Sequence, residues 1–305
     1  MGAPAIHTST AAPAAIHNIL FATDFSSTAE AALPFALALA KRFGAALFVT
    51  HILPPEPRYE LAIGPSPDAI NADKQEAQAR FDALLASGVL NDVAHEPILR
   101  SGEFWDTMQE VIADRAIDLI VTGTHGRQGL SKMILGSVAE IIFRHAACPV
   151  LTVGPHAPKE VIADGIRRVL FTTDFSPASL SALPYAYSLA EKENAQLTLM
   201  HVVQVSPPAI DTVVMPVVDA DLAADARKYL QAMLLTYAPL PLQPEVLAMS
   251  GPVAETIVDA AAERKVAMIV MGVRHKSSAA THFPWSVADA VVCRAHCPVL
   301  TVRGA

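Results

Sequence analysis

Cysteine is almost missing from this chain: Cys148, Cys293 and Cys297 are the only three among 305 residues. Three do not make a disulfide framework, and the expectation is a chain of the reducing cytoplasm. An excess of base is missing as well. Lys and Arg number 22 against 30 Asp and Glu, the net charge is −8 and the pI about 5.7, so the basic patch that nucleic acid requires is absent. No run of 18 apolar residues occurs, so no transmembrane helix is expected. Met1–Pro13 has neither a Lys/Arg-bearing start nor a long apolar stretch and does not read as a secretion signal. Its Ala, Pro and Thr content reads as a disordered leader. There is no Gly-Lys-Ser/Thr of a Walker loop, and no Ser/His/Asp or Cys/His/Asn arrangement stands out for nucleophilic catalysis. Present instead is a 52% hydrophobic composition with length for roughly two domains.

The chain contains itself twice. Ile19–Leu53 aligns with Val169–Val203, with 15 identities in 35 positions. The core is Leu20-Phe-Ala-Thr-Asp-Phe-Ser26 against Leu170-Phe-Thr-Thr-Asp-Phe-Ser176. Further on, Ser101-Gly102 matches Ser250-Gly251, Gly123 matches Gly272, and Ser137-Val-Ala139 matches Ser286-Val-Ala288. Cys148-Pro-Val-Leu-Thr-Val153 matches Cys297-Pro-Val-Leu-Thr-Val302. A period near 150 is too long for a solenoid and describes two whole domains. We expect a leader over 1–15, a first domain over 16–154, a linker over 155–165 where Gly and Pro break structure, and a second domain over 166–305.

Each half alternates strand and helix. In the first half, strands are expected over His17–Thr23, Ala46–Leu53, His95–Arg100, Ile117–Thr122 and Pro149–Val153. Helices are expected over Ser27–Phe43, about Ala69–Ala86, Phe104–Arg115 and Ser137–His145. Near-continuous apolar strands between helices mean a parallel sheet covered on both faces. The fold class is therefore α/β, as two tandem doubly wound five-stranded parallel-sheet domains. Ala31, Phe35, Ala38 and Leu39 read as a core stripe of the first helix. The connections Pro54–Asp68 and Ser206–Val218 differ in polarity and read as loops packed on their own sheet.

One stretch carries chemistry. Val121-Thr-Gly-Thr-His-Gly-Arg-Gln-Gly-Leu-Ser-Lys-Met-Ile-Leu-Gly-Ser-Val138 runs from an apolar strand through a glycine loop into a helix that opens at Ser137. Gly123 lets a ligand or loop come close to the backbone, and Gly126 permits a tight turn. Gly136 and Ser137 present free N–H groups and a hydroxyl where the helix dipole favours an anion. Ligands of such sheets bind beyond the carboxyl ends of the strands, at the switch point, where Asp24, Ile52 and Gly123 gather. His51 and His201 lie in apolar company and read as hydrogen-bonded core residues. Cys293-Arg-Ala-His-Cys297, with His275 and His282, lacks a standard zinc spacing, so no metal ligands are assigned.

Together Thr23-Asp24-Phe25-Ser26, His51, the Gly-x2-Gly-x9-Gly-Ser run and the closing Cys148-Pro-Val-Leu-Thr-Val153 resemble the universal stress protein family, over nearly the whole chain and as two copies. The resemblance implies a Rossmann-like fold of the adenine-nucleotide α-hydrolase type and, for the first half, an ATP-binding member. It implies that Asp24 lines the adenosine end and that the Ile52 backbone meets the adenine edge. Thr122 and Gly123 would lie along adenine and ribose. Gly126, Gly136, Ser137 and Val138 would donate to the phosphates, with Mg or Mn on the phosphate oxygens and Arg127 adding positive charge. Ala22 departs from the family pattern, which often has proline there. The second half departs further: His275 and Trp285 replace two of the glycines and Pro284 removes a donor, so that site reads as degenerate for ATP. Asp174, Val202, Met271 and Ser286 leave room for a smaller ligand. The implied role is in stress response or signalling. Enzymatic activity is expected to be at most weak ATP hydrolysis or autophosphorylation, with His125 a weak candidate to assist. The alternatives are a non-nucleotide scaffold or chaperone-like protein, or a slow ATPase. Pro149–Val153 and Pro298–Val302 would dock the two halves as a pseudo-dimer, with a homodimer as a further option.

Overall fold

The computed structural model describes residues 16–55, 67–124, 135–154, 157, 165–204, 217–237, 242–274 and 286–304. They fall into two compact units. The first is Ala15–Ala163 together with Val292–Thr301. It runs β1 (Asn18–Ala22), α1 (Ser27–Phe43), β2 (Ala46–Leu53), α2 (Pro67–Ala86), β3 (His95–Ser101), α3 (Phe104–Asp114), β4 (Leu119–Gly123), α4 (Ser137–His145) and β5 (Val150–Val153). Its sheet has the order β3-β2-β1-β4-β5, and these five strands are parallel. The C-terminal segment of the same unit adds an antiparallel strand: Val299, Leu300 and Thr301 face Thr152, Leu151 and Val150.

In the second unit come β6 (Arg168–Thr172), α5 (Pro177–Leu180), α6 (Leu183–Glu193), β7 (Gln196–Val203), α7 (Val217–Tyr237), β8 (Glu245–Ser250), α8 (Val253–Glu263) and β9 (Met268–Val273). Its parallel sheet has the order β8-β7-β6-β9. Helix α9 (Val287–Arg294) opens in this unit, and β10 (Val299–Arg303) ends in it. No helix among the described residues is long and apolar enough to cross a membrane.

Local chemistry sets the element ends. Ser26 caps α1, its hydroxyl accepting the Ala29 N–H at 3.2 Å. Gly44 ends the helix in the left-handed region, φ 65°, with its N–H on the Ala40 carbonyl. Pro34 is carried inside α1, but its counterpart Pro184 is not. In the second repeat the helix breaks at Ser181–Ala182 and restarts as α6 with Pro184 in its first turn, where a missing N–H costs nothing. The buried face of α1 is Ala29, Ala32, Phe35, Ala36, Leu37, Leu39 and Ala40. The expected stripe is thus rotated: Phe35 and Leu39 are buried, while Ala31 and Ala38 are half-buried. On the opposite sheet face, Leu20, Phe48, Ile98, Ile120 and Val150 pack with Met108 and Val111 of α3 and Ile142 of α4. Both repeats tie the third strand to the end of the following helix with the same ion pair, Glu96–Arg115 at 2.7 Å and Glu245–Arg264 at 2.8 Å.

Candidate functional site

The first unit reverses direction between β1 and β4: the chain moves from β1 outward to β2 and β3, then returns to place β4 on the other flank of β1. Such a reversal in strand order is where ligands of open α/β sheets bind, beyond the carboxyl ends of the strands. Register puts the expected residues around it. Ala22 lies beside both Thr50 and Thr122, and the Thr23 N–H bonds the Thr50 carbonyl at 3.0 Å. Asp24, Ile52, Thr122 and Gly123 therefore share one edge. The Thr124 N–H bonds the Val153 carbonyl at 3.0 Å, and its own carbonyl accepts the Gly136 N–H at 2.6 Å. That last bond moors the start of α4 to the end of β4, bringing Gly136, Ser137 and Val138 to the same edge. Gly126 and Arg127, with His125, lie outside the described residues, as do His275, His282 and Trp285 of the second repeat.

The turn after β1 is tightly bonded. Asp24 Oδ1 accepts the Ser26 N–H at 2.9 Å, and Thr23 Oγ1 accepts the Phe25 N–H at 2.9 Å. His51 Nδ1 lies 2.7 Å from the Thr23 carbonyl. A carbonyl only accepts, so that nitrogen carries the hydrogen. His201 repeats the contact on Thr173 at 2.7 Å, and both histidines have the bonded core role expected of them.

Gly123 has a packing reason to be glycine. A Cβ there would stand 2.7 Å from the Thr28 carbonyl oxygen in the first turn of α1. At Gly272 it would stand 1.9 Å from the Ala178 oxygen. Both glycines let a helix lie against the strand.

The two helix starts at the ends of β4 and β9 differ. In the first repeat α4 begins after Gly136, with Ser137 and Val138 exposed. Its N-cap residue, Gly136, has no side chain with which to cap the first turn. Glu140 stands three residues after Ser137, but with Gly136 as the N-cap it lies one position past that of a capping box, and its carboxylate goes to Arg144 at 2.7 Å. In the second repeat the matching acid, Asp289, turns back. Its Oδ2 accepts the Ser286 N–H and hydroxyl, each at 2.8 Å, and the Asp289 N–H reaches Ser286 Oγ at 3.2 Å. The position of Arg144 is there held by Cys293, which offers the acid no rival.

The aspartate of the β6 turn is also engaged. Asp174 Oδ1 accepts the Ser176 N–H at 2.9 Å, and Oδ2 pairs with Arg274 at 3.2 Å. Burial opposes ionisation of this carboxyl, but hydrogen bonds from Ser176 and Ser179 and the Arg274 charge outweigh it and hold the group below its ordinary range. Neither Asp289 nor Arg274 was expected as a determinant. Their signals were readable, a Ser-x-x-acid start and an arginine where the first repeat has His125. Among the described residues no group of three His, Cys, Asp or Glu is placed to hold a metal.

The universal stress protein family model matches residues 15–154 and again 165–303. The chain belongs to the universal stress protein family. It is similar to a universal stress protein of Methanocaldococcus jannaschii, 30% identical over 137 residues, 45% of this chain and 81% of that protein. A universal stress protein of Thermus aquaticus is 32% identical over 137 residues, 45% of this chain and 97% of its own length. A solved universal stress protein from Archaeoglobus fulgidus is 22% identical, with 94% of this chain and 96% of that chain covered and a TM-score of 0.70. At that identity the likeness establishes the fold.

Proposed function

We propose that this is a stress-response protein of the cytoplasm that binds one ATP, in its first repeat (16–154), and that its second repeat (166–305) does not bind ATP. The observation that carries the reading is the contrast between helix starts. The α4 start, whose N-cap residue is a glycine, offers backbone N–H groups beside the exposed Ser137, a donor set that suits phosphate oxygens. The α9 start is already occupied by the Asp289 carboxylate, which stands where an anion would and would repel one.

On this reading Asp24, Ile52, Thr122 and Gly123 take the nucleoside. Gly136, Ser137 and Val138, with Gly126 and Arg127 from the connecting segment, take the phosphates. A divalent cation, Mg or Mn, would offset phosphate charge. Switch-point geometry supports the nucleoside assignment, and the mooring of Gly136 to Thr124 supports the phosphate one. We further propose that the repeats associate as a pseudo-dimer through their terminal strands. The antiparallel pairing of Val299–Thr301 with Val150–Thr152 supports this, and a homodimer would extend it.

The test is mass spectrometry of small molecules released from the purified, denatured protein, quantified per chain. One ATP or ADP per chain is the expected result. Two per chain would overturn the reading of the second repeat. None, with no binding on addition of ATP and magnesium, would overturn the nucleotide reading altogether.

A further inference from the structure

The geometry points to Phe25 as the positioning residue of the proposed nucleotide site, setting Asp24 and itself held by His51 and Phe81. The inference rests on the reading of Asp24 as a nucleotide contact. Phe25 has φ 57°, a left-handed conformation that a bulky L residue does not adopt without strain. Strained backbone persists only where the surroundings over-determine it. Here they do. The Phe25 N–H is bonded to Thr23 Oγ1 at 2.9 Å, and its ring stands 5.0 Å from the His51 ring. Phe81 of α2, 1% exposed, meets the same ring edge-on at 5.1 Å and 85°, a favoured aromatic arrangement. His51 in turn holds the Thr23 carbonyl at 2.7 Å. The left-handed residue turns the chain so that the Ser26 N–H meets Asp24 Oδ1 at 2.9 Å, which orients the carboxylate. Phe25 thus acts on the ligand only through Asp24.

The second repeat keeps the turn and lacks the seal. Phe175 has φ 64° and stacks on His201 at 4.5 Å. Its third ring is Tyr229, 5.7 Å away and 42% exposed, where the first repeat has the buried Phe81.

The experiment is a double-mutant cycle on ATP binding, measured by calorimetry with magnesium at a temperature where circular dichroism shows every variant folded. Phe25→Gly removes the ring and the backbone penalty together, and Asp24→Asn removes the carboxylate charge. Each single change is expected to raise the ATP Kd about tenfold, and the double variant to be no weaker than Asp24→Asn alone, as for groups acting in series. Phe81→Leu, which changes no residue of the turn but loosens its hold on Phe25, is expected to weaken binding several-fold in the native background and not at all in Asp24→Asn. Additive losses, or a Phe25→Gly protein that melts earlier yet binds ATP as before, would overturn the proposal and leave the nucleotide site standing. An Asp24→Asn protein with native affinity would overturn both the nucleotide role of Asp24 and the proposal built on it.

Discussion

The starts of α4 and α9 come from matching sequence, Ser137-Val-Ala-Glu140 and Ser286-Val-Ala-Asp289, and end in opposite states. In one the acid reaches forward to an arginine; in the other it folds back onto the Ser286 N–H and hydroxyl. A helix start is therefore an anion site only if nearby acids have somewhere else to go. Arg144 draws the acid forward in the first repeat, and Cys293 at the matching position offers no such partner in the second.

The largest test of this contrast gives the first repeat the tryptophan of the second. Gly136→Trp is expected to leave no ATP binding measurable by calorimetry, with far-ultraviolet dichroism unchanged. Retained binding would separate the phosphate contacts from the start of α4. Next, Arg144→Cys copies the second repeat one turn on and releases Glu140 to cap Ser137. ATP affinity should fall about two- to fivefold, the size of a charge effect at a helix end. A rise in affinity, or none, would mean that the Glu140–Arg144 pair is an ordinary surface contact.

In the other direction, Asp289→Ala removes the α9 cap. It should cost about 1 kcal/mol of stability, a typical capping loss, read as a lower melting temperature. The smallest effect concerns Asp174. Its folded pKa lies below the ordinary value, so it contributes stability above the unfolded pKa, and that contribution is lost as pH falls through the folded one. Arg274→Ala should raise the Asp174 pKa, followed by carboxyl NMR, and move the onset of acid unfolding to slightly higher pH. An unmoved titration would show that the serine bonds alone hold the carboxylate.

Much of the fold was legible. The alternation of apolar strands and helical runs placed α1, β2 and α4 at their observed bounds. The break in the second repeat was not, since Pro34 and Pro184 look alike and only tertiary packing decides whether a helix carries its proline or restarts at it. The gathering of Asp24, Ile52 and Gly123 was readable from the doubly wound order, while Thr122 came from the family resemblance. The reason for Gly123 was not: spacing marks a glycine, while the Thr28 carbonyl that excludes a side chain is 95 residues away in sequence. The left-handed Phe25 carries no signal in its residue type, since phenylalanine is among the least suited to that backbone.

The strand pairing at the outer edge of β5 bears on how the molecule is made. Val150–Thr152 leaves the ribosome 149 residues before its partner Val299–Thr301. At about 5–20 residues per second, that is a wait of roughly 7–30 s. Throughout it the first repeat carries an uncovered sheet edge on the nascent chain, open to another such chain on the same messenger.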